Sequence, residues 1–142
     1  MDVRVLTIGT FDTIHAGHVG LFTQCRRLAG ILGHVIVGIN SDEFVKKYKG
    51  ATPLVPYESR ATVIAALRMV DSVVKNDTHT DQATLIEQAH PDVLVIGQDW
   101  ALKDYMAQLG ITQTWLDERN IQLCYVPRTG DWSSTGIKSG RR

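Results

Sequence analysis

The chain has 142 residues, which suits one domain able to bury a core without disulfides or metal staples. Fifteen basic residues balance fifteen acidic ones, so the formal net charge is zero. That balance argues against a polyanion binder such as a nucleic-acid protein, and any phosphate binding must be local. The start, Met1-Asp2-Val3-Arg4, lacks a signal-peptide pattern. No apolar run approaches the roughly 20 residues needed to cross a bilayer, so the expectation is a cytoplasmic protein with no membrane partner.

Val3–Gly9 reads as a buried strand, followed by a loop from Thr10 to Gly17. From His18 to Leu32, the apolar residues Leu21, Phe22, Cys25, Leu28, Ala29 and Leu32 recur at helical spacing. His34–Ile39 is a second strand, and Asn40 with Glu43 forms a capping-box pattern for a short helix to about Lys47. Gly50–Pro56 is a loop punctuated by Pro53 and Pro56. Tyr57–Met69 is helical, with Val63, Ala66, Leu67 and Val70 on one face, and Ser72–Lys75 is a short strand. Thr80 is placed to cap a helix running to His90, where Pro91 ends it. Val93–Gly97 is another buried strand, Ala101–Leu109 and Thr112–Arg119 read as helices, and Ile121–Val126 is the last strand.

Five short apolar runs separated by helices predict a single α/β domain over residues 1–142. Its core is a Rossmann-like, doubly wound five-stranded parallel sheet covered on both faces. Ligands of such sheets bind at the carboxyl ends of the strands. The loops after Gly9, Asn40, Gly97 and Val126 are therefore the places to look.

The segment Gly9 to His18 (G-T-F-D-T-I-H-A-G-H) follows the first strand directly. Gly9 and Gly17 allow close backbone approach to a ligand. The free N–H groups and positive dipole end of the next helix face the same loop. His15 and His18 lie three apart, so a helical turn points both imidazoles the same way. Alone, an H-x-x-H pair is a weak signal that favours a structural reading. With the strand before it and the helix after it, the pattern describes a triphosphate site. The two cysteines, Cys25 and Cys124, have no metal-type spacing and read as apolar thiols.

The Gly9–His18 pattern resembles the nucleotidyltransferase superfamily that carries an H-x-G-H motif, and within it the cytidylyltransferases. Arg128–Lys138 (R-T-G-D-W-S-S-T-G-I-K) is similar to the second motif of glycerol-3-phosphate cytidylyltransferase. Ser41–Phe44, Lys49-Gly50, Arg68–Asp71 and Gly97–Trp100 each resemble a family segment in the expected order. The resemblance thus covers nearly the whole chain. It implies a CTP-dependent (or ATP-dependent) enzyme acting on a small phosphorylated alcohol, glycerol 3-phosphate in the first instance. It also implies a homodimer, and a magnesium ion held mainly by phosphate oxygens and water.

By that resemblance His15, His18 and Lys49 are catalytic. The nucleotide contacts are Gly9, Thr10, Phe11, His15, His18, Asp99, Trp100, Arg128, Thr129, Ser134 and Thr135. Lys49 and Arg68 touch the acceptor, while no side-chain cluster is expected to cage a metal. Lys46 and Lys47 read as a solvated basic run, Arg60 as a surface or packing residue, and Arg68 as a partner for Asp71 or for a second subunit.

The donor set suits the chemistry. A phosphate monoester has a second pKa near 6 and is already an anion at neutral pH, so it attacks the α-phosphate without a general base. Positioning and charge stabilisation then carry the rate, which calls for His, Lys, Arg, Ser and Thr rather than paired acids.

Three departures concern the acceptor. Gln98 stands where glycerol-3-phosphate enzymes show a second aspartate. An insertion spans roughly Asp104 to Asn120. The helix opening near Asp81-Gln82-Ala83 lacks the family's lysine. The loop from Lys49 to Arg60 also resembles adenylyltransferases that act on sugar phosphates. A catalytically silent nucleotide-binding module is the alternative from another class; retention of His15, His18, Lys49 and the Ser-Ser-Thr segment opposes it.

Overall fold

The computed structural model describes residues 2–77, 82–97, 106 and 109–127. In chain order the elements are β1 (Arg4–Gly9), α1 (Ala16–Ala29), β2 (His34–Asn40), α2 (Asp42–Lys49), α3 (Tyr57–Ala65), β3 (Ser72–Asn76), α4 (Ala83–Ala89), β4 (Val93–Gly97), α5 (Gln113–Glu118) and β5 (Gln122–Val126). The five strands form one sheet in the order β3-β2-β1-β4-β5, and each neighbouring pair is parallel. Chain order reverses between β1 and β4, the crevice where such sheets take ligands. The register brings the carboxyl ends level, with Gly9 opposite Ile39, Asn40 opposite Asn76, and Gly97 opposite Val126.

The strand residues alternate between two cores, as the twofold period of a strand requires. Val5, Val35, Val37, Ile39, Val93 and Val95 pack with Phe22, Cys25 and Ala29 of α1 and Ile64 of α3. Leu6, Ile8, Ile36, Leu94 and Ile96 pack on the other face with Ile86 and Ala89 of α4 and Leu116 of α5. Both faces are covered, which is why the strands read as continuous apolar runs in the sequence. The inserted stretch before β5 contributes Leu109, Ile111 and Leu116 to the second core, so it is part of the fold.

Several boundaries differ from expectation, each for a local reason. Helix α1 begins at Ala16 and stops at Gly30, whose φ of 76° leaves helical space; Leu28 and Leu32, which periodicity places in the core, are 41% and 81% exposed. The cap of α2 is Ser41, whose hydroxyl accepts from the Phe44 N–H, while Asn40 ends β2. Helix α3 ends at Ala65 and buries Ile64, leaving Val63 exposed. Helix α4 begins at Ala83 after Gln82, without a side-chain cap. Thr80 and the predicted helix start at Ala101 lie outside the described residues.

Candidate nucleotide and acceptor site

The loop leaving β1 is built around Phe11, which adopts a positive φ of 51° and turns its ring back under the strand end. A Cβ on Gly9 would come within 2.8 Å of that ring, so glycine at position 9 makes room for Phe11. The Phe11 ring meets His18 edge-on at 5.4 Å and Phe22 at 5.2 Å, tying the loop to α1. Sequence reasoning gave Gly9 to close approach by a ligand; its packing against Phe11 supplies a structural reason as well.

The two histidines cap α1 themselves. His15 is the N-cap in extended conformation, and its Nδ1 accepts from the Gly17 N–H at 3.0 Å. His18 Nδ1 accepts in turn from the His15 N–H at 3.3 Å. This is a capping box made of imidazoles. The rings stack, with centroids 3.8 Å apart and planes 22° apart. Because each Nδ1 accepts from the backbone, the proton of a neutral ring sits on Nε2. Burial, followed by the neighbouring His15, pulls the His18 pKa from 6.5 down to about 4, so this ring is neutral at pH 7. A stacked pair of N–H donors at a helix N-terminus suits an anion and disfavours a resident positive charge.

The loop between α2 and α3 is fastened to the same strand ends by buried charge. Asp12 is 4% exposed, and its carboxylate accepts from the Leu54 and Val55 N–H groups at 3.0 and 2.9 Å. Arg60, expected at the surface or in packing, is 1% exposed. Its guanidinium donates to the carbonyls of Val55, Thr10 and Asn40, each at 2.8 Å, and to Asp42 at 2.6 Å. Asp42 also accepts from the Tyr57 N–H. Arg60 was legible only as a charged residue among helical apolar ones. Its role depends on carbonyls that no side-chain pattern reports.

Among the described site residues, Gly9, Thr10, Phe11, His15 and His18 come together at the carboxyl end of β1. Lys49 is the last residue of α2, exposed, with its ammonium 5.6 Å from the centre of the Tyr48 ring. Gly50 follows at a φ of 83° and ends the helix. Lys46 and Lys47 are exposed on the same last turn. Arg68 is exposed and precedes β3, at the opposite edge of the sheet from the histidines. Its expected partner Asp71 is held instead by Arg26 and by the Val35 N–H. Within one chain Arg68 does not join the cluster. Asp99, Trp100, Arg128, Thr129, Ser134 and Thr135 lie outside the described residues, though Gly97 and Val126, the strand ends that precede them, sit side by side at the same edge.

Cys25 is buried, and that burial first, with Cys124 nearby, pushes its thiol up to about 12, which suits packing and not nucleophilic chemistry. Cys124 is partly buried against the same core. No described helix is long and apolar enough to cross a membrane.

Residues 6–140 match the model of a family described as cytidylyltransferase-like. An FAD synthase from Korarchaeum cryptofilum is 34% identical over 144 residues, covering 96% of this chain and 90% of that protein. A bifunctional protein named HldE from Alcanivorax borkumensis is 44% identical over 99 residues, which is 69% of this chain and 20% of its own length. The crystal structure of the lipopolysaccharide core biosynthesis protein from Thermoplasma volcanium superposes with a TM-score of 0.68 at 21% identity, covering 91% of this chain and 99% of that one, a likeness of fold.

Proposed function

The chain belongs to the cytidylyltransferase-like family, and we propose that it moves AMP from ATP onto the phosphate of a small phosphorylated alcohol, releasing pyrophosphate. The observation that carries the transfer chemistry is the stacked His15–His18 pair capping α1 at the carboxyl end of β1. The choice of AMP rests on the relative named FAD synthase, which spans 96% of the chain. FAD is AMP joined through a pyrophosphate link to the phosphorylated alcohol FMN, so its synthesis from ATP and FMN is adenylyl transfer. The resemblance of Lys49–Arg60 to adenylyltransferases acting on sugar phosphates points the same way.

In the reaction, an oxygen of the acceptor phosphate forms a bond to the α-phosphorus as the bond to the pyrophosphate oxygen breaks. The electron pair leaves with pyrophosphate. The acceptor is already an anion, so no proton has to be removed. The Nε2–H donors of His15 and His18 and the free N–H groups of α1 neutralise charge on the phosphate oxygens. Lys49 adds a cation at the acceptor or the triphosphate. Asp99, Trp100, Arg128, Thr129, Ser134 and Thr135 complete the nucleotide side. Among the described residues no group of three or more His, Cys, Asp or Glu side chains could hold a metal ion. Magnesium would enter with the triphosphate, held by phosphate oxygens and water, and would add Lewis-acid charge stabilisation.

A second reading, CMP transfer from CTP to glycerol 3-phosphate, is favoured by the resemblance of Gly97–Trp100 and Arg128–Lys138 to the cytidylyltransferases. Pyrophosphate release with ATP and with CTP, each against FMN, sugar phosphates and glycerol 3-phosphate, separates the two. Release with CTP and glycerol 3-phosphate alone would replace the first reading by the second. Nucleotide binding without release from any pair would leave the silent module. The proposed homodimer predicts twice the chain mass by light scattering at micromolar concentration.

A further inference from the structure

A line of side-chain hydrogen bonds runs across the carboxyl ends of three strands and ends at the surface. Its far end is buried: Gln82 is 5% exposed, Asn76 0% and Asn40 7%. Asn76 Nδ2 donates both to Gln82 Oε1 at 3.0 Å and to Asn40 Oδ1 at 2.8 Å. That fixes which way the Asn40 amide points, and its Nδ2 donates to Thr10 Oγ1 at 3.0 Å. The Thr10 and Tyr48 hydroxyls then lie 3.2 Å apart.

The polarity of this line has a consequence for its outer end. Thr10 Oγ1 already accepts from Asn40. If Thr10 donates to Tyr48, the Tyr48 proton is left over; if Tyr48 donates to Thr10, the Thr10 proton is left over. Either way the pair keeps one O–H to give to a ligand, and the buried amides behind it polarise that donor. Tyr48 is 40% exposed, its ring is braced edge-on by Phe44 at 5.1 Å, and the Lys49 ammonium lies beside it. An O–H donor on a ring with an ammonium 5.6 Å from its centre is a set for an anionic oxygen.

We infer that the Tyr48 hydroxyl, coupled to Thr10, is a further acceptor-positioning group that binds the phosphate of the attacking alcohol. The inference rests on the two-substrate transfer proposed above. The side of the site decides between substrates. Of the proposed nucleotide contacts, Asp99, Trp100 and 128–135 follow in sequence β4 and β5, the strands on one side of β1, while Thr10 at the end of β1 itself is moved by this inference to the acceptor side. Tyr48 hangs from the helix that follows β2, on the other side. The histidines follow β1, between β2 and β4, and the proposed transfer puts the α-phosphate there.

Tyr48→Phe keeps the ring contacts and removes only the hydroxyl. With the best acceptor from the pyrophosphate-release panel, the acceptor KM should rise roughly ten- to hundredfold, the loss expected for one hydrogen bond to a charged group. The nucleotide KM and the melting temperature should stay at wild-type values. Thr10→Val should raise the acceptor KM as well, and the double variant should cost less than the product of the two single effects, because the hydroxyls act as a pair. Calorimetry gives a second readout: FMN and glycerol 3-phosphate, titrated beside riboflavin and glycerol, should lose their advantage over the dephosphorylated compounds in Tyr48→Phe. An unchanged acceptor KM in an active variant overturns the inference and leaves the transfer reading intact. A raised nucleotide KM alone would place the pair in the nucleotide subsite and also overturn it. Absence of pyrophosphate release by the wild-type protein with every pair defeats the transfer reading itself.

Discussion

Two arginines tie loops together at opposite edges of the sheet. At the amino edge Arg26 donates to the carbonyls of Gly30, Gly33 and Met69 and pairs with Asp71. At the carboxyl edge Arg60 donates to the carbonyls of Val55, Thr10 and Asn40 and pairs with Asp42. The chemistry is the same, but the surroundings are not. The Arg26 side chain is 25% exposed and borders the bare Ile31–Leu32 turn, whereas Arg60 has no exposed side-chain surface and holds the residue that follows Gly9. Arginine cross-ties therefore do not mark a site. The difference lies in what they hold: Arg26 closes the far end of α1, while Arg60 fixes the wall beside the histidines.

The largest expected effect is at Arg60. Replacing it by alanine removes the donor from three carbonyls, leaves the Asp42 carboxylate only its bond from the Tyr57 N–H, and opens a cavity, at a cost of about 3 kcal/mol. That corresponds to a melting temperature roughly 10 °C lower. Because Thr10 and Val55 lose their tie, turnover should fall further than the loss of folded protein explains. Turnover per folded molecule equal to wild type would reduce Arg60 to a purely structural tie like Arg26.

His18→Asn separates the two jobs of the histidine. The Asn side-chain oxygen can still accept from the His15 N–H, while the Nε2–H donor is gone. The rate of pyrophosphate release should drop about 10²–10³-fold, as for loss of one charge-stabilising donor, with little change in melting temperature. An unaltered rate with saturating nucleotide would assign the stacked rings to capping alone. Lys49→Ala should cost most of the activity too, while Lys46→Ala and Lys47→Ala keep most of theirs; equal losses in all three would describe a diffuse basic turn.

These contrasts show what could be read from the sequence. The five strands and their parallel arrangement were legible because buried strands leave side-chain patterns, and so was the start of a helix just after the first strand, where Gly9, Thr10, Phe11, His15 and His18 come together. Leu28 and Leu32 were misread since periodicity continues through Gly30 in the sequence, whereas the helix stops there. The Asn40 cap was misread because Asn and Ser41 compete for one job, and Asn40 is engaged by Thr10 of the loop after β1 and by Asn76 of β3. Asp12 and Tyr48 carried no signal because their partners are backbone N–H groups or a hydroxyl some forty residues away, and Arg60 read only as surface or packing because most of its partners are backbone carbonyls.

The pH dependence of stability sharpens the contrast between the edges. The His18 pKa is lowered from 6.5 to about 4 in the native state. As pH falls below about 6.5 the unfolded chain takes up this proton and the native chain does not. Stability is therefore complete above that pH, declines toward pH 4, and loses nothing more through His18 below it. The full span is on the order of 3 kcal/mol. Denaturant melts of wild type and His18→Asn from pH 7 to pH 4 test this: the variant should show a shallower decline. Parallel curves would mean that His18 titrates normally and that the decline belongs to other groups.

The smallest effect is expected at Arg26, and it completes the comparison. Asp71 and Arg26 both contact solvent, so their charge pairing is screened and contributes at most about 1 kcal/mol. The carbonyls of Gly30, Gly33 and Met69 can turn to water when the guanidinium is removed, because this edge is open. Asp71 keeps its bond from the Val35 N–H at 2.7 Å. Arg26→Ala should thus cost about 1–2 kcal/mol once lost stem packing on the edge is added. It should leave both substrate KM values and the turnover rate unchanged, since β1 and α1 are anchored near the site by Phe11 and by the histidine caps. A change in nucleotide KM in this variant would mean that α1 transmits displacement from its C-terminal end to its capped N-terminus. The two edges would then be one mechanical unit rather than two.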